Sequence, residues 1–168
     1  MIIWIAVIIL SAAADQVTKL IIVNSYELGQ TRPIIDGVLN FHYIQNKGAA
    51  WGILSDNRWV FITITAILLL ILPYLLYKFR KVHVMFSLSL SLIIGGAIGN
   101  MIDRVFLGYV VDFIETAFIN FPVFNVADSF VTVGAVMMFI YLIFIDKKLF
   151  ASEKNKSGDI KNDDKGDC

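Results

Sequence analysis

The residues able to do chemistry in this chain are chiefly carboxylates and amides. Asp15, Asp103, Asp112 and Asp128 stand near the ends of long apolar runs, accompanied by Lys19, Asn100, Arg104 and Asn125. There are two histidines, His42 and His83. Neither falls where it could activate a buried serine. The single cysteine, Cys168, ends a polar tail, which excludes a disulfide framework and a cysteine metal cluster. It does not sit where a prenylation box needs it and reads as an inert tail residue. No H-E-x-x-H or other multi-ligand metal spacing and no phosphate-binding G-x-x-x-x-G-K-S/T loop occurs, so no metal and no other cofactor is expected. What remains is carboxylate chemistry. Two carboxyls in a site of low dielectric do not both ionise readily, so one becomes an acid beside a base. Such a pair activates water with one member and protonates a carbonyl with the other, as aspartic peptidases do.

The elements that must position these groups are apolar. Of 168 residues, 58% are hydrophobic and 17% charged, against about 45–50% and 25% in soluble domains; mean hydropathy is +0.74. Lys plus Arg (14) equals Asp plus Glu (14), which gives no case for a nucleic-acid partner. Four runs stand out: Met1–Ala14, continuing through Val17 and Leu20–Val23, then Trp59–Tyr77, Val84–Ile102 and Val126–Ile145. Helices of ~20 residues match a hydrocarbon core of ~30 Å. Pro73 and the glycines Gly95, Gly96 and Gly99 are compatible with membrane helices, and the glycines offer a surface for close backbone approach. Ser11-Ala12-Ala13-Ala14 after Ile2–Leu10 also resembles a signal-cleavage site, but no Lys or Arg precedes the apolar run, against that reading.

Lys78, Arg80 and Lys81 crowd the link between runs two and three, and Lys147, Lys148, Lys154, Lys156, Lys161 and Lys165 follow run four. The positive-inside rule places that link and both termini in the cytoplasm. The loops 24–58 and 103–125 then face outward. In the first, Asp36-Gly37 lies between apolar runs, and Leu39, Phe41 and Tyr43 alternate with Asn40 and His42. This reads as a hairpin or small sheet with one apolar face. It suits either the capture of an extended peptide by strand addition or the plain capping of helices. The expected architecture is an all-α membrane protein, with four transmembrane helices and a small extracytoplasmic β-rich unit at about 24–58. Residues 1–150 form one domain, followed by a disordered cytoplasmic tail at 151–168.

This topology brings polar groups from three helices to one level at the outer boundary. Each has an ordinary explanation. Asp15 and Lys19 could neutralise each other at i,i+4; Asp103 and Arg104 could be interfacial charges; Asn125 and Asp128 fit a helix cap and its N3 partner. Their convergence favours function, because ionisable groups at membrane depth are costly. Ion-pathway proteins share that feature, but often show repeated broken helices, and runs one–two and three–four share no visible repeat. A non-enzymatic assembly factor docking through the outer sheet is the other alternative.

Five motifs occur in order: Asp15-Gln16-Val17-Thr18-Lys19, Gln45-Asn46-Lys47-Gly48-Ala49-Ala50-Trp51-Gly52, Gly95-Gly96-Ala97-Ile98-Gly99-Asn100-Met101-Ile102-Asp103-Arg104, Val110-Val111-Asp112-Phe113-Ile114 and Phe124-Asn125-Val126-Ala127-Asp128-Ser129. In this the chain resembles the bacterial lipoprotein signal peptidases (type II signal peptidases) across nearly its whole length. The resemblance implies an aspartic endopeptidase of the cytoplasmic membrane. It would remove signal peptides from diacylglyceryl-modified prolipoproteins, cleaving before the lipidated cysteine. The family's catalytic pair falls on Asp112 and Asp128, while Asp15, Asn46, Asn100, Asp103, Arg104 and Asn125 match positions that shape the site or hold substrate. Partners so implied are prolipoprotein substrates, membrane lipids and globomycin-type inhibitors. A monomer is expected, though neither the residues nor the resemblance fixes the oligomeric state. Asp103 suits acid–base work less well than Asp112, because the adjacent Arg104 favours its charged form.

Overall fold

The computed structural model describes residues 1–48 and 57–145. Four long helices, α1 (Ile2–Ser25), α2 (Arg58–Phe79), α3 (Val84–Phe106) and α4 (Val126–Ile140), follow the apolar runs closely. A π-helical turn, Tyr141–Ile145, extends α4 so that Val126–Ile145 is long enough to span a bilayer, as are α1, α2 and α3. The tail at 151–168, the lysines beyond run four and the motif residues Ala49 to Gly52 lie outside the described residues. Ile3, Ile9, Leu10, Leu70, Val136 and Phe139 point away from the protein. Such an apolar surface would be a liability in water; on helices of this length it faces lipid. The chain is a multi-pass membrane protein.

Helix α3 is the hub, packing against α1, α2 and α4. Small residues make this possible. A Cβ on Gly96 would run into the backbone of Ala127 at the start of α4, and one on Gly99 would meet the Asp15 carboxylate of α1. These two glycines therefore set how closely the three site-bearing helices approach. Toward the other end, Leu76, Leu90 and Ile94 form an apolar core between α2 and α3, with Trp4, Ile8 and Met138 packed on it. The buried hydroxyls of Ser89 and Ser91 donate to the carbonyls of Met85 and Ser87 one turn back.

At the opposite end stands a three-stranded antiparallel sheet, in the order β1 (Thr31–Ile35), β2 (Leu39–Asn46), β3 (Val110–Thr116). The hairpin closes at Asp36-Gly37: Val38 donates its N–H to the Ile35 carbonyl and Gly37 takes φ +69°, a conformation open to glycine at little cost. The alternation read in β2 holds in part. Tyr43 is buried with Ile22, Val111 and Phe113, and Phe41 packs on that cluster. Asn40 and His42 instead meet Glu115. Strand β1 is exposed throughout, so the apolar face belongs to β2 and β3.

The third strand corrects the sequence reading, which confined the β-rich unit to about 24–58 and left Asp112 in a loop. Strand β3 comes from the other connection and completes the far edge of β2, whose N–H and C=O groups would otherwise stand unpaired. Its β-branched and aromatic residues suit a half-buried strand. The cluster Ile22, Tyr43, Val111 and Phe113 then docks the sheet on the end of α1.

Candidate active site

Each carboxylate comes from a different local device. Asp128 is the N3 residue of α4, in a reciprocal cap: the Asn125 side chain accepts from the Asp128 N–H (2.9 Å) and the Asp128 carboxylate accepts from the Asn125 N–H (3.2 Å). The capping reading was therefore right and does not exclude a further role. Asp112 lies in mid-β3 and is 2% exposed. Phe124, just before the cap, bridges to Ile114 of β3, and this brings Asn125 against Asp112. On the other side the β2–β3 register shifts between Phe41 and Ile44, so that Asn46 pairs with Val110. Asn46 thus becomes the diagonal neighbour of Asp112, within side-chain reach across the strands.

Three amides hold the two carboxylates. Asn46 Nδ2 donates to Asp112 Oδ2 (2.8 Å), Asn125 Nδ2 to Asp112 Oδ1 (2.7 Å), and Asn100 Nδ2 to Asp128 Oδ1 (2.7 Å). An amide can be turned either way by its neighbours. Here each carbonyl end accepts from a group that can only donate: the Gly48 N–H for Asn46, the Asp128 N–H for Asn125 and the Lys19 ammonium for Asn100. The donor ends are thereby aimed at the acids. Among the described residues no buried side-chain N or O lacks a partner, as a polar network at membrane depth requires.

Behind the amides lies an ionic layer. Lys19 Nζ is 2.9 Å from Asp15 Oδ2 and 2.9 Å from Asp103 Oδ2, with its side chain 4% exposed. The other Asp15 oxygen accepts from the Ala127 N–H (2.9 Å), and Asp103 Oδ2 also accepts from the Val111 N–H (3.0 Å). Gln16 donates to Asp15, Asp103 and the Gly99 carbonyl. Asp15 and Lys19 do pair, as their spacing allowed, but they also tie α1 to α3 and α4, and through Asp103 to β3.

The ion-pair partner of Asp103 lies on another helix, not next to it in sequence. It is Lys19, while the Arg104 guanidinium lies 5.1 Å over the Phe61 ring and donates weakly to the Asn100 carbonyl. All eight polar residues singled out from sequence are found in this assembly or on its cleft. Lys19 and Gln16 belong to it as well and were missed as site residues. The signal for Lys19 was a basic residue at membrane depth, one turn from Asp15.

Asp112, Asp128, Asn46, Asn100 and Arg104 line one cleft of about 640 Å³, whose opposite wall is apolar, from Phe121 to Phe124 and along α4 at Val133. Burial pushes the Asp112 carboxyl up to about 7; the Asn46 hydrogen bond pulls it down and the charge of Asp128 pushes it further up. The same shift has a price in stability: the folded protein holds this proton from about pH 3.8 to about 7, so the contribution is complete below that window and is lost as pH rises through it. The arrangement sets two hydrogen-bonded carboxyl groups on one cleft, next to an apolar groove. No group of three or more His, Cys, Asp or Glu residues suited to a metal ion occurs among the described residues.

Fold and site together define a membrane-embedded protein with paired carboxylates at one end of a four-helix bundle. Residues 7–144 match the family model of signal peptidase (SPase) II. The chain belongs to that family and is a membrane peptidase. It is 45% identical over 144 residues to the lipoprotein signal peptidase of Enterococcus faecalis, covering 86% of this chain and 88% of that one. To the lipoprotein signal peptidase of Listeria monocytogenes serotype 4a it is 46% identical over 138 residues, covering 81% and 90%. A bacterial membrane enzyme solved by the in meso method at 2.3 Å superposes with a TM-score of 0.81 at 39% identity, over 85% of this chain and 88% of the other. A second such structure, at 1.9 Å, gives 0.80 at 39% identity, over 86% and 95%.

Proposed function

We propose that this peptidase is an intramembrane aspartic endopeptidase that removes the signal peptide from diacylglyceryl-modified prolipoproteins, cleaving before the lipidated cysteine. The single observation that carries the aspartic mechanism is the pair Asp112 and Asp128 on one cleft, each held by two directed donors. Likeness to relatives called lipoprotein signal peptidases supports the substrate class. The Asp128 carboxylate takes a proton from water, whose oxygen attacks the scissile carbonyl carbon while the Asp112 carboxyl protonates the carbonyl oxygen. Collapse of the tetrahedral species breaks the C–N bond: the proton held by Asp128 passes to the cysteine nitrogen, and one hydroxyl of the gem-diol returns its proton to Asp112 as the C=O re-forms. The products are a signal-peptide carboxylate and a lipidated cysteine with a free amine. Asn46, Asn100 and Asn125 orient the acids; Asp15 and Asp103 hold α4 and β3; Arg104 faces the substrate in the cleft. The apolar wall suits an acyl chain or a signal-peptide segment, and globomycin-type inhibitors would occupy the same groove.

This mechanism needs Asp112 protonated at the start. Turnover should therefore fall as pH rises through about 7, the value to which burial pushes that carboxyl, in a kcat profile measured in detergent. A rate that keeps rising from pH 7 to 9 would assign the acid elsewhere. Chelators and serine-directed acylating reagents should leave activity intact; loss on chelation that zinc restores would replace the dyad with a metal.

The enzyme would sit in the bacterial cytoplasmic membrane as a monomer, residues 1–150 forming its one domain, with both termini inside and the sheet outside. In a Cys168→Ser background, Arg32→Cys on exposed β1 should react with an impermeant thiol reagent on intact cells. Lys81→Cys, exposed in the link between α2 and α3, should not. The reverse pattern would put the cleft on the cytoplasmic face.

A further inference from the structure

Two of the three amides that address the acids are oriented by backbone N–H groups, which only proline would remove. The third, Asn100, is oriented by a side chain, the Lys19 ammonium at 2.9 Å. The same ammonium pairs with Asp15, which receives the Ala127 N–H beside Asp128, and with Asp103, which receives the Val111 N–H beside Asp112. One cation thus stands behind both acids, by two routes to α4, through Asn100 and Asp15, and by one to β3, through Asp103. Building on the dyad reading above, we propose that Lys19 is a positioning residue of the active site, fixing the Asn100 amide on Asp128 and locking the α4 and β3 segments that present the two acids.

A buried ion pair that only stabilised the fold would need neither the Asn100 contact nor a place facing both acids. The charged groups that act on this ammonium are Asp15 on its own helix, Asp103 on α3 and Asp112 on β3, with Arg104 on α3 and Asp128 on α4 on the cleft beyond them. The ammonium also acts on Asp112 through space, its positive charge favouring the ionised carboxylate. Removing it must move the Asp112 titration upward.

The test compares wild type with Lys19→Met and with Lys19→Met/Asp103→Asn, which removes one buried negative charge together with the cation. Both are measured as folded protein, selected by gel filtration in detergent. Asp112 is followed by carboxyl-carbon NMR, which needs no catalysis, and turnover by cleavage of a diacylglyceryl precursor. The expected result is a kcat lower by about 10- to 100-fold with KM little changed, as for slight misplacement of catalytic groups, and an Asp112 titration and alkaline limb both moved to higher pH. Lys19→Arg should restore part of kcat. Folded Lys19→Met/Asp103→Asn with unchanged kcat and an unchanged Asp112 titration would overturn the proposal. If neither methionine variant yields folded protein, while Lys19→Arg folds with normal kcat, Lys19 is a structural ion-pair partner and the proposal is equally lost. Failure of the dyad reading looks different: Asp112→Asn would then cleave normally, whatever Lys19 does.

Discussion

Asp112→Asn and Asp128→Asn are each expected to abolish cleavage, with turnover lower by about 10⁴-fold or more, while the protein inserts at normal levels. General acid–base catalysis is worth ~10²–10⁴-fold, and this pair must also hold the attacking water, so the losses should reach the upper end. Asparagine keeps the size of each side chain but cannot take up or deliver the proton. One of the two bonds that each acid accepts survives, because the amide oxygen can still accept from Asn125 or Asn100. The double variant should be no slower than either single one, since removing one acid already destroys the unit. Asp15→Asn and Asp103→Asn should act differently, through folded yield or milder losses. Each weakens an ion pair with Lys19 and a tie to the Ala127 or Val111 N–H, without touching the reacting atoms. Near-normal turnover by Asp128→Asn, or Asp103→Asn equalling Asp112→Asn with folding intact, would mean the wrong carboxylates have been assigned.

The second large effect is expected at Asn125. Asn125→Asp preserves the helix cap, because an aspartate oxygen accepts the Asp128 N–H as well as the asparagine oxygen does. It replaces the amide that donates to Asp112 at 2.7 Å with a carboxylate oxygen. Three acids then crowd one cleft, and like charges at that distance cannot all ionise. Turnover near pH 7 should fall by more than about 10²-fold, the scale of losing one preorganised donor. Unlike the dyad variants, this one should recover partly on acidification, when the new carboxyl is protonated and can donate to Asp112 as the amide did. Asn125→Ser keeps a cap without the donor and should lose less. Expression and thermal stability close to wild type, with activity gone at pH 7.5 and partly regained at pH 5.5, is the predicted signature. Activity equally low at both values would show that Asn125 matters for the fold alone.

The parts of this account legible in the sequence are those set by local composition. The four spans follow from apolar runs of sufficient length, and the shared depth of Asp15, Asn100, Asp103, Asn125 and Asp128 follows from where those runs end. The cap formed by Asn125 and Asp128 is equally local, a matter of three residues' spacing. Strand β3 was not legible, because its partner lies some seventy residues away along the chain and nothing in Val110–Thr116 announces the pairing. The Asn46–Asp112 contact depends further on the register shift in β2; the family likeness pointed to Asn46 while its own neighbours in sequence did not. Lys19 shows the converse limit. Its spacing from Asp15 declared an ion pair, but the contacts that give it a place in the site, to Asp103 and Asn100, are made only when α1 packs on α3.

The central claim, that this chain hydrolyses lipidated precursors with two aspartates, is tested most directly by a single assay. Purified protein in liposomes is given a diacylglyceryl-modified lipobox precursor and its unmodified counterpart, and the products are weighed by mass spectrometry. The account predicts a fragment beginning at the lipidated cysteine and a free signal peptide from the modified precursor, little product from the unmodified one, and none from either with Asp112→Asn or Asp128→Asn. Equal cleavage of both precursors, a cut elsewhere than before the cysteine, or full product from the folded Asp112→Asn protein would contradict it.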